Sequence, residues 1–223
     1  MWLAYAMNGV VWNEDGTLNE DSVMEALKYM ETLVKEELVA PEDKTSSGMD
    51  AYKRLTGGSA SFLTGPTSFV SRSTNEEECS VVGQIAPILM PGKEAKSEVT
   101  MALPEGLGVT KFSENKEAAK KFVEWYTSAD MQKELNASNS AIPTRNSVLK
   151  ALVEDGTIKN AGAMMDEAER IVSPFPNGIP AYYAEMSSAM YNAINKMALG
   201  EMTAEEAFED MNAKITELVE QDK

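Results

Sequence analysis

Apolar residues recur every three or four positions over long stretches of this chain, and that period predicts helices. Val23, Ala26, Leu27, Met30, Leu33 and Val34 share one face of a helix that Asn19 or Asp21 can cap and Pro41 ends. Ala118, Ala119, Phe122, Val123 and Tyr126 form a second face behind a cap at Ser113 or Asn115, and a further helix follows with Ser128 as its cap. Met186, Ala189, Met190, Ala193, Ile194 and Met197 make a third stripe, which Gly200 closes. Ala207, Phe208, Met211, Ile215, Leu218 and Val219 make a fourth, opened by Thr203 and Glu206 at capping-box spacing. Elsewhere the period fails. A short helix over Met49–Leu55, the pair Gly57-Gly58 and an apolar run to Leu63 read as helix, turn and strand. Val81 to Met90, closed by Pro91-Gly92, and a short run before Lys111 predict two more strands, and residues 140–149 predict a loop around Pro143. The expected fold is α/β, helix-rich, with a few short strands.

Composition narrows the chemistry. The chain carries 20 basic and 36 acidic residues, a net charge of −16, which disfavours nucleic acid and anionic membrane surfaces as partners. It contains no histidine, so Ser-His-Asp and Cys-His catalysis and His-ligated zinc drop out. Its one cysteine, Cys79, follows Glu76, Glu77 and Glu78, a setting that disfavours a thiolate nucleophile. No apolar run approaches the roughly 18 residues of a membrane span, and the first residues lack the basic start of a signal peptide. The acidic stretch from Asn13 to Asp21 lacks calcium-loop spacing, because Gly16 does not hold the sixth position of such a loop. It reads as a solvated turn. The 15 methionines lie mostly on the helical stripes, where core packing explains them.

Residues 57–69, Gly-Gly-Ser-Ala-Ser-Phe-Leu-Thr-Gly-Pro-Thr-Ser-Phe, raise a functional question. The Gly65-Pro66 break delivers Thr67, Ser68 and Phe69 either as a turn that buries a phenylalanine or as a loop that touches a ligand. The order of four segments bears on it: residues 26–43, residues 54–69, residues 106–149 with Ser113-Glu114-Asn115-Lys116-Glu117-Ala118-Ala119, and residues 194–219 with Thr203-Ala204-Glu205-Glu206-Ala207. Together they resemble the second half of an extracellular solute-binding protein of bacterial ABC importers, in the sugar-binding family that includes maltose-binding protein. The resemblance implies a periplasmic-binding-protein-like (type II) fold, a polar ligand such as a sugar held in a cleft between two lobes, no catalysis, no cofactor and no metal. It implies delivery of the ligand to membrane permease subunits and an extracytoplasmic or lipid-anchored location for the full-length protein.

The same resemblance places residues 1–101 in the second lobe, carries 102–149 across the hinge to the first, and returns 150–223 to the second. Family members are about twice as long, so the chain reads as a fragment without its first lobe and signal peptide. The face of Phe122, Trp125 and Tyr126 then lacks its partner, and self-association is expected. The implied ligand residues are Thr67, Ser68, Phe69, Glu105, Gly106, Tyr182 and Tyr183. The family often has Trp directly after Gly-Pro, where this chain has Thr67, so stacking on a sugar falls to Phe69 or to another ring. Arg72 and Arg145 offer an anionic ligand or plain surface pairing, and Trp12 reads as a packing residue. Two other readings stay open: an enzyme with paired carboxylates acting on glycosides, and a helical interaction module without a small ligand.

Overall fold

The structure, a computed structural model, describes residues 1–95, 97, 99–101, 106–159 and 162–222. The chain forms two compact units. The first comprises Met1–Ala51, Met90–Ala102 and Arg170–Lys223, and the second Tyr52–Leu89 and Leu103–Glu169. The lobes expected at 1–101, 102–149 and 150–223 describe a different division, framed on the longer family members.

The first unit is built on α1 (Trp2–Asn8), α2 (Glu20–Lys35), β1 (Thr100–Met101), β2 (Ile171–Val172), α9 (Tyr183–Ala198) and α10 (Ala204–Gln221). Helix α10 packs against α9 and α2, and α1 against α2. The expected stripes supply the core. Ala207, Phe208, Met211, Ile215, Leu218 and Val219 of α10 are all buried, as are Met186, Met190, Ala193 and Met197 of α9 and Val23, Ala26 and Leu27 of α2. Met186, Met197 and Met211 are among the most completely buried large side chains, as expected of unbranched gap-fillers. The caps form as the sequence predicts. Asn19 accepts from the Ser22 N–H, and Thr203 and Glu206 close a full capping box. Strands β1 and β2 pair in parallel, Thr100 opposite Ile171 and Met101 opposite Val172.

Near the start of the chain, Trp12 pairs with Leu18 across a turn in which Asp15 accepts bonds from the N–H and hydroxyl of Thr17. The carboxylate is thus engaged by its own turn. Trp12 Nε1 and the Tyr5 hydroxyl both donate to the Pro174 carbonyl, at 2.9 and 3.1 Å.

The second unit contains the end of α3 (Gly48–Thr56), α4 (Ser68–Arg72), α5 (Lys116–Tyr126), α6 (Ala129–Asn139), α7 (Asn146–Glu154) and α8 (Gly162–Ala168). Its core is small: Val148, Leu149, Leu152, Ile158 and Met164, with Val70, Ile142, Val153 and Met165 against them. Ser128 caps α6 by accepting from the Met131 N–H, whereas the side chain of Asn115 caps nothing.

Several expectations are corrected. Residues 59–63, 81–90 and 107–110 form no strand. Pro87 cannot donate to a sheet ladder, Ile88 points outward at 71% exposure, and among the described residues no strand lies beside these runs. The predicted loop at 140–149 contains the start of α7, whose Val148, Leu149 and Leu152 anchor the local core. Helix α1, not anticipated, buries Ala4, Tyr5 and Ala6 and ends at Gly9, where φ is 71°. Helix α5 buries none of its residues, and Phe122 and Trp125 stand 51% and 56% exposed.

Candidate functional site

The Gly65-Pro66 break leads straight into α4. The Phe69 N–H donates to the Pro66 carbonyl and the Val70 N–H to that of Thr67, each at 3.0 Å. Phe69 folds back over the break. A Cβ added to Gly65 would sit 2.9 Å from Phe69 Cδ2, so only glycine lets the ring lie there. On its other side the ring meets Tyr52, centroid to centroid at 4.4 Å and tilted by 33°. Phe69 is half-buried, as are Thr67 and Ser68. Among the described residues no hydrogen bond engages the hydroxyl of Thr67 or of Ser68. The turn thus carries two hydroxyls without a hydrogen-bond partner among the described residues, followed in sequence by a ring that touches Tyr52 and closely approaches Gly65.

Tyr52 is the residue that sequence reasoning missed here. Its ring is buried, and its hydroxyl has no hydrogen-bond partner among the described residues. Burial, with help from the charges of Glu78 and Cys79, pushes its pKa up to about 12, so the phenol stays neutral. Its separation in sequence from Phe69 gives no local pattern to read.

Gly106 is exposed and lies in an irregular segment of the same unit, whereas Glu105 lies outside the described residues. Tyr182 and Tyr183 belong to the first unit, at the start of α9. Tyr182 packs on the core, and burial raises its pKa, with the Asp222 charge adding to the effect. Tyr183 is 41% exposed and meets Phe175 edge-on at 5.6 Å, and Phe175 in turn meets Trp12 at 5.7 Å. Trp12 is therefore a packing residue, and Phe175 links it to Tyr183. The two arginines are both engaged. Arg145 Nε donates to the Thr127 carbonyl at 2.8 Å, and Arg72 lies 4.0 Å from Glu78.

Among the described residues two concavities stand out, one in each unit, and neither is lined by Thr67, Ser68 or Phe69. The first, about 420 Å³, has Met24 and Phe208 in its lining and Glu20, Glu205 and Glu209 around them. The second, about 290 Å³, runs past Lys53, Gly57, Glu76 and Cys79. Both are shallow, surface-open and crowded with carboxylates, which suits an uncharged polar ligand less well than the Thr67–Phe69 turn does. A glycosidase needs one carboxyl held protonated. The carboxyls of Glu25, Asp155, Glu205 and Glu217 are shifted the other way, below their ordinary values. Their first causes are hydrogen bonds to Lys93, Thr157, Lys28 and Lys214 respectively. Among the described residues no group of three or more carboxylates and thiols is placed to hold a metal ion.

The sequence profile of the bacterial extracellular solute-binding proteins matches residues 2–133. The chain belongs to that family, whose members bind solutes. Solved structures with the same fold include maltose-bound MalE3 of T. maritima, 21% identical over 97% of this chain with a TM-score of 0.79. An ABC substrate-binding protein of Listeria monocytogenes in complex with cycloalternan is 20% identical over 98% of the chain, with a TM-score of 0.75. The sugar-binding protein MalE of Xanthomonas citri is 18% identical over 99%, with a TM-score of 0.74. The chain spans 56%, 56% and 55% of the length of these three proteins.

Proposed function

We propose that this chain is part of the solute-binding component of an ABC importer, that its ligand is a sugar or oligosaccharide, and that the whole protein works outside the cytoplasm and hands the ligand to a membrane permease. The observation that carries this reading is the Gly65–Phe69 turn. A sugar offers hydroxyls on its rim and C–H groups on its faces. Thr67 and Ser68 supply unengaged hydroxyls for the rim, and the Phe69 ring, held between Tyr52 and Gly65, supplies a flat apolar surface for a face. Glu105 and Gly106 join this site in the proposal. The neighbours with maltose and cycloalternan support the sugar class.

The test is thermal unfolding of the chain against maltose, longer maltodextrins, cycloalternan and mannitol. A ligand at a hundred times its Kd adds about 2.7 kcal/mol to stability, which for a chain of this size raises Tm by roughly 5–10 °C. The expected result is such a rise with one sugar class, removed by Thr67→Ala and Phe69→Ala. No rise with any sugar tested would overturn the sugar assignment, and release of cleaved product would favour the glycosidase reading instead.

A further inference from the structure

Asn8, Asp15, Asp155 and Asn177 are each followed by glycine. The pairing matters chemically. Glycine has no Cβ to shield its backbone nitrogen, so that nitrogen can attack the preceding side chain at Cγ and close a five-membered ring. The fold sets the four pairs apart. Asn8 is half-buried at the end of α1, and its amide donates to Glu25 at 2.9 Å. The Gly9 N–H donates to the carbonyl of Tyr5, a core residue. Asp15 accepts from the N–H and the hydroxyl of Thr17. Thr157, through its side chain and its N–H, holds the Asp155 carboxyl below its ordinary value. An ionised carboxylate resists the attack, because the group that would have to leave is an oxide.

Asn177 lacks this protection. Pro176, Asn177, Gly178 and Ile179 are all exposed, Ile179 at 74%. Among the described residues the Asn177 amide makes one bond, to the Glu14 carbonyl, and at 3.5 Å it is a weak one. The Gly178 N–H closes a single turn onto the Phe175 carbonyl at 3.0 Å. Freeing that nitrogen breaks one hydrogen bond at the surface, whereas freeing the Gly9 nitrogen unwinds the end of α1 from the core. The first opening is the cheaper, and attack proceeds from the opened state. We infer that Asn177 is a modification site, where the chain converts its own asparagine to aspartate and isoaspartate while the fold protects Asn8. The Gly178 nitrogen bonds to Asn177 Cγ, the Cγ–Nδ2 bond breaks, and Nδ2 leaves as ammonia with the proton of the Gly178 amide. Water then opens the cyclic imide. Cleavage at Cγ gives aspartate, and cleavage at the backbone carbonyl gives isoaspartate, whose main chain runs through Cβ and Cγ. Either product places a carboxylate in the segment between β2 and α9, where Pro174 receives Tyr5 and Trp12 and Phe175 meets Trp12. The inference is independent of the sugar reading.

Peptide mapping by mass spectrometry, on the purified chain incubated in neutral buffer over weeks, tests it. The expected result is acid at Asn177 accumulating at least about tenfold faster than at Asn8. In guanidinium chloride, where no fold distinguishes two Asn-Gly pairs, the two rates fall within about threefold of each other. Asn177→Gln keeps an exposed amide but would need a larger ring, so it removes the main acidic species from isoelectric focusing. Far-UV circular dichroism of this variant matches the parent and separates lost chemistry from misfolding. A ratio of Asn177 to Asn8 no greater in the folded chain than in the denatured one overturns the inference, since the fold would then not select the site. A folded chain that leaves Asn177 intact while the denatured chain converts it overturns it too, because the turn would then stay closed. Isoaspartate appearing first at Asp15 or Asp155 overturns the ranking on which it rests.

Discussion

Replacing Gly65 with alanine probes the turn that carries the proposed site. The backbone at Gly65 does not need a left-handed conformation, so in open space alanine would stabilise by about 0.4–1 kcal/mol through the unfolded chain. The space is not open. The new Cβ would stand 2.9 Å from Phe69 Cδ2 and 3.2 Å from Cε2, and Leu63 Cδ2 lies a further step out at 3.7 Å. Phe69 cannot retreat freely, because Tyr52 lies against it with centroids at 4.4 Å. Overpacking of this kind costs about 1–3 kcal/mol, which exceeds the entropic gain. The net expectation is a loss of about 1–2 kcal/mol, or a Tm lower by roughly 3–6 °C for a chain of this size. Thermal unfolding followed by circular dichroism measures it. Phe69→Ala removes the two atoms in conflict, so Gly65→Ala should cost less in that background, with a coupling of at least about 0.5 kcal/mol. A Gly65→Ala chain as stable as the parent, or more stable, would refute the close approach and with it the claim that the Phe69 ring is pinned.

Two further outcomes follow from named groups. Tyr52→Phe deletes a buried hydroxyl that lacks a partner among the described residues, so stability should hold or rise by up to about 1 kcal/mol; a loss of that size in denaturant unfolding would show that the hydroxyl is satisfied after all. Glu25 bonds to Lys93 at 2.7 Å, and that bond holds its carboxyl below the ordinary value. A carboxyl lowered in the folded state stabilises above its unfolded pKa of about 4.3, and the contribution is lost as pH falls through the lower folded value. Lys93 is raised by the same bond, so its part persists until pH exceeds about 10.4. The difference in Tm between the parent and Lys93→Met should therefore be present at pH 7 and gone by about pH 2, and a difference that persists there would refute the assignment.

What the sequence revealed depended on whether the cause was local. Helices α2, α9 and α10 were legible because each turns an apolar stripe to the core, and Asn19, Ser128 and Thr203 act as caps through bonds to residues three positions on. Helix α7 was hidden by Pro143, whose turn signal masked the spacing of Val148, Leu149 and Leu152. The runs at 59–63 and 81–90 looked like strands because they are apolar, but a strand needs a neighbour, and that is a property of the tertiary fold. At the site, the turn at Gly65-Pro66 could be anticipated. The contact of Phe69 with Tyr52 could not, nor could the engagement of Arg145 by the Thr127 carbonyl, because both join separated segments. The Phe122 face was legible as an apolar stripe, but its exposure was legible only by analogy with longer relatives.

The core of the first unit has a consequence for how the chain is made. Met1–Ala51 and Arg170–Lys223 share it: Tyr5 and Trp12 donate to Pro174, and α2 packs against α9 and α10. Helix α2 leaves a ribosome before any residue of α10 has been added. At about 5–20 residues per second, its apolar face waits roughly 10–30 s for Phe208, Met211 and Ile215 to arrive. The second unit interrupts the first and is complete in sequence by Glu169, so it is free to fold while the first is still waiting. During synthesis, the apolar face of α2 is therefore open to proteases and aggregation until α10 closes the core of the first unit.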